Sequence, residues 1–316
     1  MKILVTGGAG FIGSHLVERL LGEGHSVAIA DDFNDFYDPK IKWENIAGVQ
    51  KDVPVHRVDL RDSAGVRNLF HAQKFDTVVH LAARAGVRPS ILQPQLYYDT
   101  NVNGTLYLLE AARVTGVERL IFASSSSVYG ICPSVPFSES FHLTQTISPY
   151  AATKIAGEFL CSTYSHLYGI RVVALRYFTV YGPRQRPDLA IHQFTRRIHE
   201  GLPIDQFGDG TTRRDYTYVD DIIQGTVAAL KYGGPMFDIF NLGESETIQL
   251  KDLIAAIEKA LGKKAKINRL PEQPGDVPLT CAEISKAKKM LGYNPKTSLA
   301  EGLPRFVDWF LSRSAK

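Results

Sequence analysis

Lys2-Ile3-Leu4-Val5-Thr6-Gly7-Gly8-Ala9-Gly10-Phe11-Ile12-Gly13 opens the chain and decides how the rest is read. Residues 2–5 are a short apolar run with strand character. From residue 11 to 21 the apolar side chains Ile12, Leu16, Leu20 and Leu21 recur on one side of a helix. The unit is strand, glycine turn, helix. Working outward, Ser26-Val27-Ala28-Ile29-Ala30 is a second β run ending in Asp31-Asp32, and further runs lie at residues 55–58, 77–81, 120–123 and 172–175, with helical stretches between them. Strands alternating with helices predict an α/β fold of Rossmann type, a doubly wound parallel sheet covered on both faces.

After Arg176 the alternation loosens. Loops at residues 181–184, 207–210 and 271–278 separate shorter elements. Residues 1–176 therefore read as a nucleotide-binding domain, and residues 177–218 with 243–316 as a smaller C-terminal substrate-binding domain. The helix Val219–Leu230 and strand Phe237–Leu242 are expected to return to the large sheet.

Composition narrows the classes. A formal charge of +3 over 316 residues, with the basic residues scattered, excludes the basic face of a nucleic-acid or membrane-surface binder. Cys132, Cys161 and Cys281 are odd in number and widely separated, which argues against a disulfide framework or a zinc site. The nine histidines form no metal-spaced set, so no metal is expected, and His80 inside an apolar strand reads as a core residue. Neither a leader-like N-terminus nor a span-length apolar run is evident, and the reading is a soluble cytoplasmic protein. The stripe of Leu299, Leu303, Phe306, Val307 and Phe310 reads as packing.

The glycine turn has a definite physical task. Gly7 permits a tight turn, Gly10 lets a diphosphate approach the backbone, and Gly13 lets the helix settle on the strand, leaving the amides at Phe11 and Ile12 facing the anion. An acidic residue closing the next strand completes a dinucleotide pattern. Asp31 is thus expected to hold the adenosine ribose hydroxyls and to repel a 2′-phosphate, favouring NAD over NADP. Asp32 reads as a solvated loop carboxylate. Asp59-Leu60 either flanks the adenine or, through Asp59, caps the following helix.

Tyr150 and Lys154 are four residues apart, which places both on one helical face. A phenol with a pKa near ~10 becomes a usable base when a neighbouring ammonium and an oxidised nicotinamide favour the phenolate. The spacing alone also fits an ordinary amphipathic helix. Two features favour chemistry: Ser148-Pro149 resembles a helix start, and the run Ser124-Ser125-Ser126-Ser127-Val128-Tyr129-Gly130 puts hydroxyls at the carboxyl edge of the sheet, where ligands bind.

With these motifs in place the chain resembles the extended short-chain dehydrogenase/reductase family. The resembling residues are Gly7 to Gly13, Leu81-Ala82-Ala83, Asn101, Ser124 to Gly130, Tyr150 to Lys154, Arg176-Tyr177-Phe178 and Arg214-Asp215-Tyr216. Within it the chain is most similar to the nucleotide-sugar 4-epimerases, in particular the branch that interconverts UDP-glucuronate and UDP-galacturonate. That likeness rests on Asp32-Phe33-Asn34-Asp35-Phe36-Tyr37-Asp38-Pro39, Ala85-Gly86-Val87-Arg88, Thr179 to Asp188 and Gln273 to Pro278.

The resemblance implies a bound NAD that takes hydride from C4 of the sugar and returns it to the opposite face of a transient 4-ketone. It also assigns roles. Tyr150 is the base, Lys154 holds the nicotinamide ribose and tunes Tyr150, Ser125 bonds the reacting oxygen with Ser126 as the second choice, and Leu81, Ala82 and Ala83 line the cofactor. Dehydratases and decarboxylases of this kind carry acids just before Val-Tyr-Gly, where this chain has Ser126 and Ser127, so epimerisation is favoured. A sugar carboxylate needs a cationic or hydrogen-bonding partner. Arg88, Arg184 and Arg186 are candidates, with Arg186 preferred and Thr179 beside it; Ser125, Ser126 and Ser127 complete the sugar site. Arg214 is expected on the diphosphate and Asp276 on the uridine ribose, with Gln273 where related enzymes have a second arginine. Pairing of the helices at residues 96–115 and Pro149–Tyr168 across a homodimer is implied likewise. The alternatives are a UDP-glucose/galactose epimerase, a UDP-glucuronate decarboxylase, or a non-catalytic NAD-binding regulatory protein.

Overall fold

The computed structural model describes residues 1–132, 134–272 and 277–314. The N-terminal part alternates β1 (Lys2–Thr6), α1 (Phe11–Gly22), β2 (Ser26–Asp31), α2 (Pro39–Ile46), β3 (Val55–Arg57), α3 (Ser63–Ala72) and β4 (Thr77–His80). Two short helices, α4 (Val87–Leu92) and α5 (Pro94–Tyr98), then run through a π-helical turn (Asp99–Asn103) into α6 (Gly104–Thr115). Next come β5 (Arg119–Ser125), a 3-10 turn (Ser126–Tyr129), α7 (Pro149–Tyr168), β6 (Arg171–Tyr177) and β7 (Thr179–Tyr181). The remainder comprises α8 (Ala190–His199), β8 (Pro203–Phe207), β9 (Arg213–Arg214), β10 (Tyr216–Tyr218), α9 (Val219–Leu230) and β11 (Phe237–Leu242). It ends with β12 (Ile248–Gln249), α10 (Leu250–Leu261), β13 (Lys266–Leu270), α11 (Ser285–Leu291) and α12 (Leu299–Ser314).

Seven strands form one parallel sheet in the order β11-β6-β5-β4-β1-β2-β3. The chain builds outward from β1 to β3 and then crosses back to β4, so a switch point lies between β1 and β4, and a crevice opens there beyond the strand ends. Alternation within each strand splits the core in two. Ile3, Val5, Ile29, Val79, Ile121 and Val173 belong to one apolar cluster, with Leu16 of α1 and Ile222 of α9. Leu4, Ala28, Val78, Leu120, Phe122 and Val172 belong to the other, with Phe70 of α3, Leu108 of α6 and Cys161 of α7.

The first cluster continues into the C-terminal elements through Ile198, Ile204, Ile257 and Phe306. There β7 pairs with β10, β8 with β13 and β9 with β12. Leu303, Phe306 and Val307 are buried in α12, a packing stripe. His80 is buried too, its ring held between the Thr6 hydroxyl at 2.8 Å and the Thr105 hydroxyl at 3.0 Å.

Helix α7 is set by local chemistry. The Ser148 side chain accepts from the Ala151 amide at 3.1 Å and Pro149 begins the first turn, a cap of the kind that contributes about 1 kcal/mol. Further along, Gly157 lets the helix lie against β5: a Cβ there would fall 2.4 Å from the Phe122 ring. That close approach carries Tyr150 and Lys154 to the strand end.

Candidate active site

A cavity of about 340 Å³ runs along the carboxyl ends of β1, β2, β4, β5 and β6. Its floor is the glycine turn. Gly7 has φ +70°, and a Cβ on it would lie 2.8 Å from the Ala82 amide nitrogen; one on Gly13 would lie 2.2 Å from the Gly7 carbonyl. Side chains are therefore excluded, and α1 sits down on the turn. Gly10 at the N-cap offers no side-chain acceptor and the first turn holds no acid, so the first amides of α1 keep their capacity for an anion. Gly7, Gly10, Phe11, Ile12 and Gly13 all line the cavity. An uncapped helix start behind a turn too tight for any Cβ fits a dinucleotide diphosphate.

At the other end of that half, Asp31 is buried and accepts from the amides of Ala9 (3.3 Å) and Phe33 (3.0 Å). Its charge is not isolated, which amends the sequence reading. Lys42 of α2 donates to Asp31 at 2.6 Å and approaches Asp32 at 3.4 Å. Repulsion of a 2′-phosphate by Asp31 alone is weakened by this ammonium, so the carboxylate's acceptor geometry carries the preference for ribose hydroxyls. Asp32 is also no free loop carboxylate: it binds the Asn34 side-chain amide at 2.6 and 2.8 Å and lines the cavity. Asn34, Phe36, Tyr37 and Lys42 line it as well, and no spacing rule marked them.

Asp59 is gripped by Arg61 through bonds of 2.6 to 3.1 Å, while the cap of α3 is Asp62, which accepts from the Ala64 amide at 3.0 Å. Asp59, Leu60, Leu81, Ala82 and Ala83 face the same cavity.

Tyr150 and Lys154 meet the serine run at the mouth of β5. Ser127 donates to the Ser125 hydroxyl from its own hydroxyl at 2.9 Å and from its amide at 3.2 Å. With its oxygen accepting twice, Ser125 has its proton available for the phenol of Tyr150, which lines the same cavity. Ser124 is committed elsewhere: it donates to Glu158 at 2.5 Å, and Glu158 is in turn held by Arg176 at 2.7 and 2.9 Å in a buried pair. Ser126 lines not this cavity but a neighbouring one.

Lys154 donates to the Ala123 carbonyl at 2.7 Å and lies 5.9 Å from the Tyr150 ring centroid. Burial lowers its ammonium to about 8, with Cys161 and Glu158 opposing. Burial raises the Tyr150 hydroxyl above its ordinary value, and the opposing influences are the Ser125 hydrogen bond and the Arg186 charge. Tyr97 packs edge-on against the Tyr150 ring at 6.2 Å and donates to the Ala85 carbonyl at 2.9 Å. Asn101, in the π turn, accepts from the Arg84 amide at 2.8 Å and donates to Thr153 at 3.0 Å, which ties this wall to α7.

A second cavity of about 140 Å³ adjoins, lined by Ser126, Ser127, Arg214 and Thr280, and Thr179 lines both. Arg186 lines the larger one and forms a two-bond pair with Asp188. The other candidate arginines are placed differently. Arg88 lines neither cavity; its guanidinium lies over the Phe207 ring, 4.5 Å from the centroid. Arg184 turns away, pairing with Glu18 of α1 at 2.7 Å. Arg84, which carried no motif, lines the larger cavity and stacks over Phe36. Asp215, quoted for its motif, is a fully buried tie that accepts from the amides of Glu244, Ser245 and Ala282 at 2.8 to 3.0 Å. Asp276 and Gln273 lie outside the described residues. Among the described residues no group of three or more His, Cys, Asp or Glu could hold a metal ion, and no helix is long and apolar enough to cross a membrane.

Comparison with known proteins matches this architecture. The family model described as GDP-mannose 4,6 dehydratase matches residues 4–306. UDP-glucuronate 4-epimerase of Thermodesulfobacterium geofontis is 45% identical over 309 residues, covering 97% of this chain and 95% of that protein. Among solved structures, UDP-glucuronic acid 4-epimerase from Bacillus cereus, in complex with UDP-glucuronic acid and NAD, superposes with a TM-score of 0.93 at 41% identity, covering 99% of this chain and all of that one. UDP-glucose 4-epimerase from Thermus thermophilus, in complex with NAD, gives 0.90 at 38% identity, covering 98% and 99%. Fold likeness spans more than one sugar, so the choice of substrate lies in the side chains of the cavity.

Proposed function

The chain belongs to the GDP-mannose 4,6 dehydratase family, the extended short-chain dehydrogenase/reductases, and from that premise we propose that it is an NAD-dependent 4-epimerase interconverting UDP-glucuronate and UDP-galacturonate. The observation that carries the choice of sugar is the placement of Arg186 and Thr179 on the wall of the same cavity as Tyr150 and Ser125. A base and a carboxylate-binding cation then face one ring. A neutral hexose brings no carboxylate to that guanidinium.

NAD, when bound, supplies a reversible hydride acceptor at its nicotinamide. The protein's own groups do the rest. The α1 amides hold the diphosphate and Asp31 accepts from the ribose hydroxyls, with Lys42 holding the carboxylate in place. Tyr150 takes the proton of the sugar 4-hydroxyl and gives it back, while Ser125, fed by Ser127, donates to the oxygen as charge develops on Tyr150 or the sugar. Lys154 bonds the nicotinamide ribose and adds positive charge near Tyr150. In the adjoining cavity Arg214 meets the UDP phosphates, while the assignment of Asp276 to the uridine ribose rests on the sequence resemblance alone. Ser127, where a decarboxylase carries an acid, is spent on Ser125 and cannot protonate a carbanion.

The cofactor half is residues 1–176 with 219–242, and the sugar half 177–218 with 243–316, a division supported by β11 pairing with β6. The protein acts as a cytoplasmic homodimer through α6 and α7, a reading supported by the exposed apolar side chains Phe159 (70%) and Leu167 (59%) on α7. Sedimentation shows whether it is a dimer.

Incubating NAD-loaded protein with a panel of UDP-sugars, with chromatography that resolves epimers, tests the activity. Conversion of UDP-glucuronate to an isobaric product is expected. A product lighter by one CO₂ would assign a decarboxylase, and turnover of UDP-glucose without UDP-glucuronate would assign a hexose epimerase.

A further inference from the structure

Arg186 does not offer its whole guanidinium to the cavity. Its Nε donates to Asp188 Oδ1 at 2.9 Å and its terminal NH2 group to Oδ2 at 2.7 Å, a parallel fork closed within one loop. The guanidinium carbon lies over the Phe36 ring, 5.3 Å from its centroid. A guanidinium has its donors in one rigid plane. Asp188 takes the Nε edge, so the edge left for a ligand is the terminal one. Asp188 also places a negative charge within one guanidinium's width of the position a sugar carboxylate would take.

We propose that Asp188 is a positioning and specificity-determining residue: an internal carboxylate that orients Arg186 and attenuates its hold on the carboxylate of the sugar. The proposal rests on the reading of Arg186 as the carboxylate partner. Its chemical reason lies in the reaction. To present its opposite face, the 4-keto sugar must turn within the site, and a carboxylate locked to an uncompensated guanidinium resists turning. With Asp188 on one edge, the substrate is held by a shared charge and is released on each turn. The repulsion between the two carboxylates is the cost that keeps the site from trapping either epimer.

Asp188→Asn keeps size and one acceptor while removing the charge. With NAD-loaded protein, calorimetric titration of UDP-glucuronate should show binding roughly three- to tenfold tighter, as for a like charge removed from a partly exposed site. Binding of UDP should not change, because UDP has no sugar carboxylate. KM and kcat for UDP-glucuronate should both fall. That pattern separates a tuned clamp from a damaged loop, which would raise KM, and Asp188→Ser serves as the second variant for the same comparison. Unchanged or weaker UDP-glucuronate binding in both variants, with Arg186→Leu still weakening it, overturns the role of Asp188. If Arg186→Leu leaves UDP-glucuronate and UDP binding alike, the carboxylate reading of Arg186 falls and this proposal with it.

Discussion

Replacing Gly157 by alanine tests whether contact with the sheet is what places the catalytic helix. An ideal Cβ at this position lies 2.4 Å from Cζ of Phe122 and 3.1 Å from both Cε atoms. Carbon atoms rest at about 3.5–4.0 Å, so the ring or the helix must give by roughly 1 Å. Phe122 is 2% exposed, with His80 at 5.8 Å from its centroid on one side and the Lys154 ammonium at 5.2 Å. His80 is itself pinned by Thr6 and Thr105, so the ring has little room to swing and α7 takes up the strain. Overpacking of this size costs about 3 kcal/mol, the upper end of its range. Alanine returns about 1 kcal/mol of helix propensity, leaving a net loss of roughly 2 kcal/mol. Over a chain of 316 residues the expected fall in Tm is about 3 °C. Turnover should suffer more than stability, because moving a base and its partner by about 1 Å can cost on the order of 10²-fold. Differential scanning calorimetry and initial rates with UDP-glucuronate, both on NAD-loaded protein, measure the two effects. An unchanged Tm with unchanged turnover would refute the claim that Phe122 and Gly157 set the position of Tyr150 and Lys154.

Tyr150→Phe should lower turnover by ~10²–10⁴-fold while UDP binding survives, and near-normal turnover in the folded variant would remove Tyr150 as the base. Ser125→Ala should lose less, and a larger loss in Ser126→Ala would reassign the hydroxyl. Cofactor extracted from purified protein should be NAD(H) with little NADP(H); the reverse would overturn the role of Asp31. His80 links stability to acid. Burial lowers its folded pKa from 6.5 to about 3, so below pH 6.5 the unfolded chain binds a proton that the folded one does not. Stability should therefore fall as pH drops from 6.5 towards 3, by up to about 1.4 kcal/mol per pH unit from this residue. Denaturant unfolding across that window should show a shallower slope in His80→Gln; an equal slope would show that other groups dominate.

The parts of the site legible in the sequence are those built from neighbours along the chain. Gly7, Gly10 and Gly13 declare a turn because backbone geometry excludes any side chain there, and Tyr150 with Lys154 declares a helical face because four residues make about one turn. Lys42 escaped because its partner Asp31 is eleven residues away across a loop, and no periodicity links them. Arg84 escaped for the same reason: its contact with Phe36 joins the loop after β4 to the loop after β2.

Sequence by itself thus determined the alternation of strands and helices, the tight glycine turn and the shared helical face of Tyr150 and Lys154, since hydrophobic period and local spacing encode them. Tertiary structure decided between chemically identical residues. Four consecutive serines look alike as letters, yet Ser124 is taken by Glu158, Ser125 faces Tyr150, Ser126 opens on the second cavity and Ser127 donates to Ser125. Arg184 and Arg186 are two residues apart, and a left-handed backbone at Arg184 (φ 65°) sends its side chain to Glu18, 166 positions away, while Arg186 faces the cavity. Such choices rest on contacts between segments far apart in the chain, where a residue's type states what it can bond and only the packed fold states what it meets.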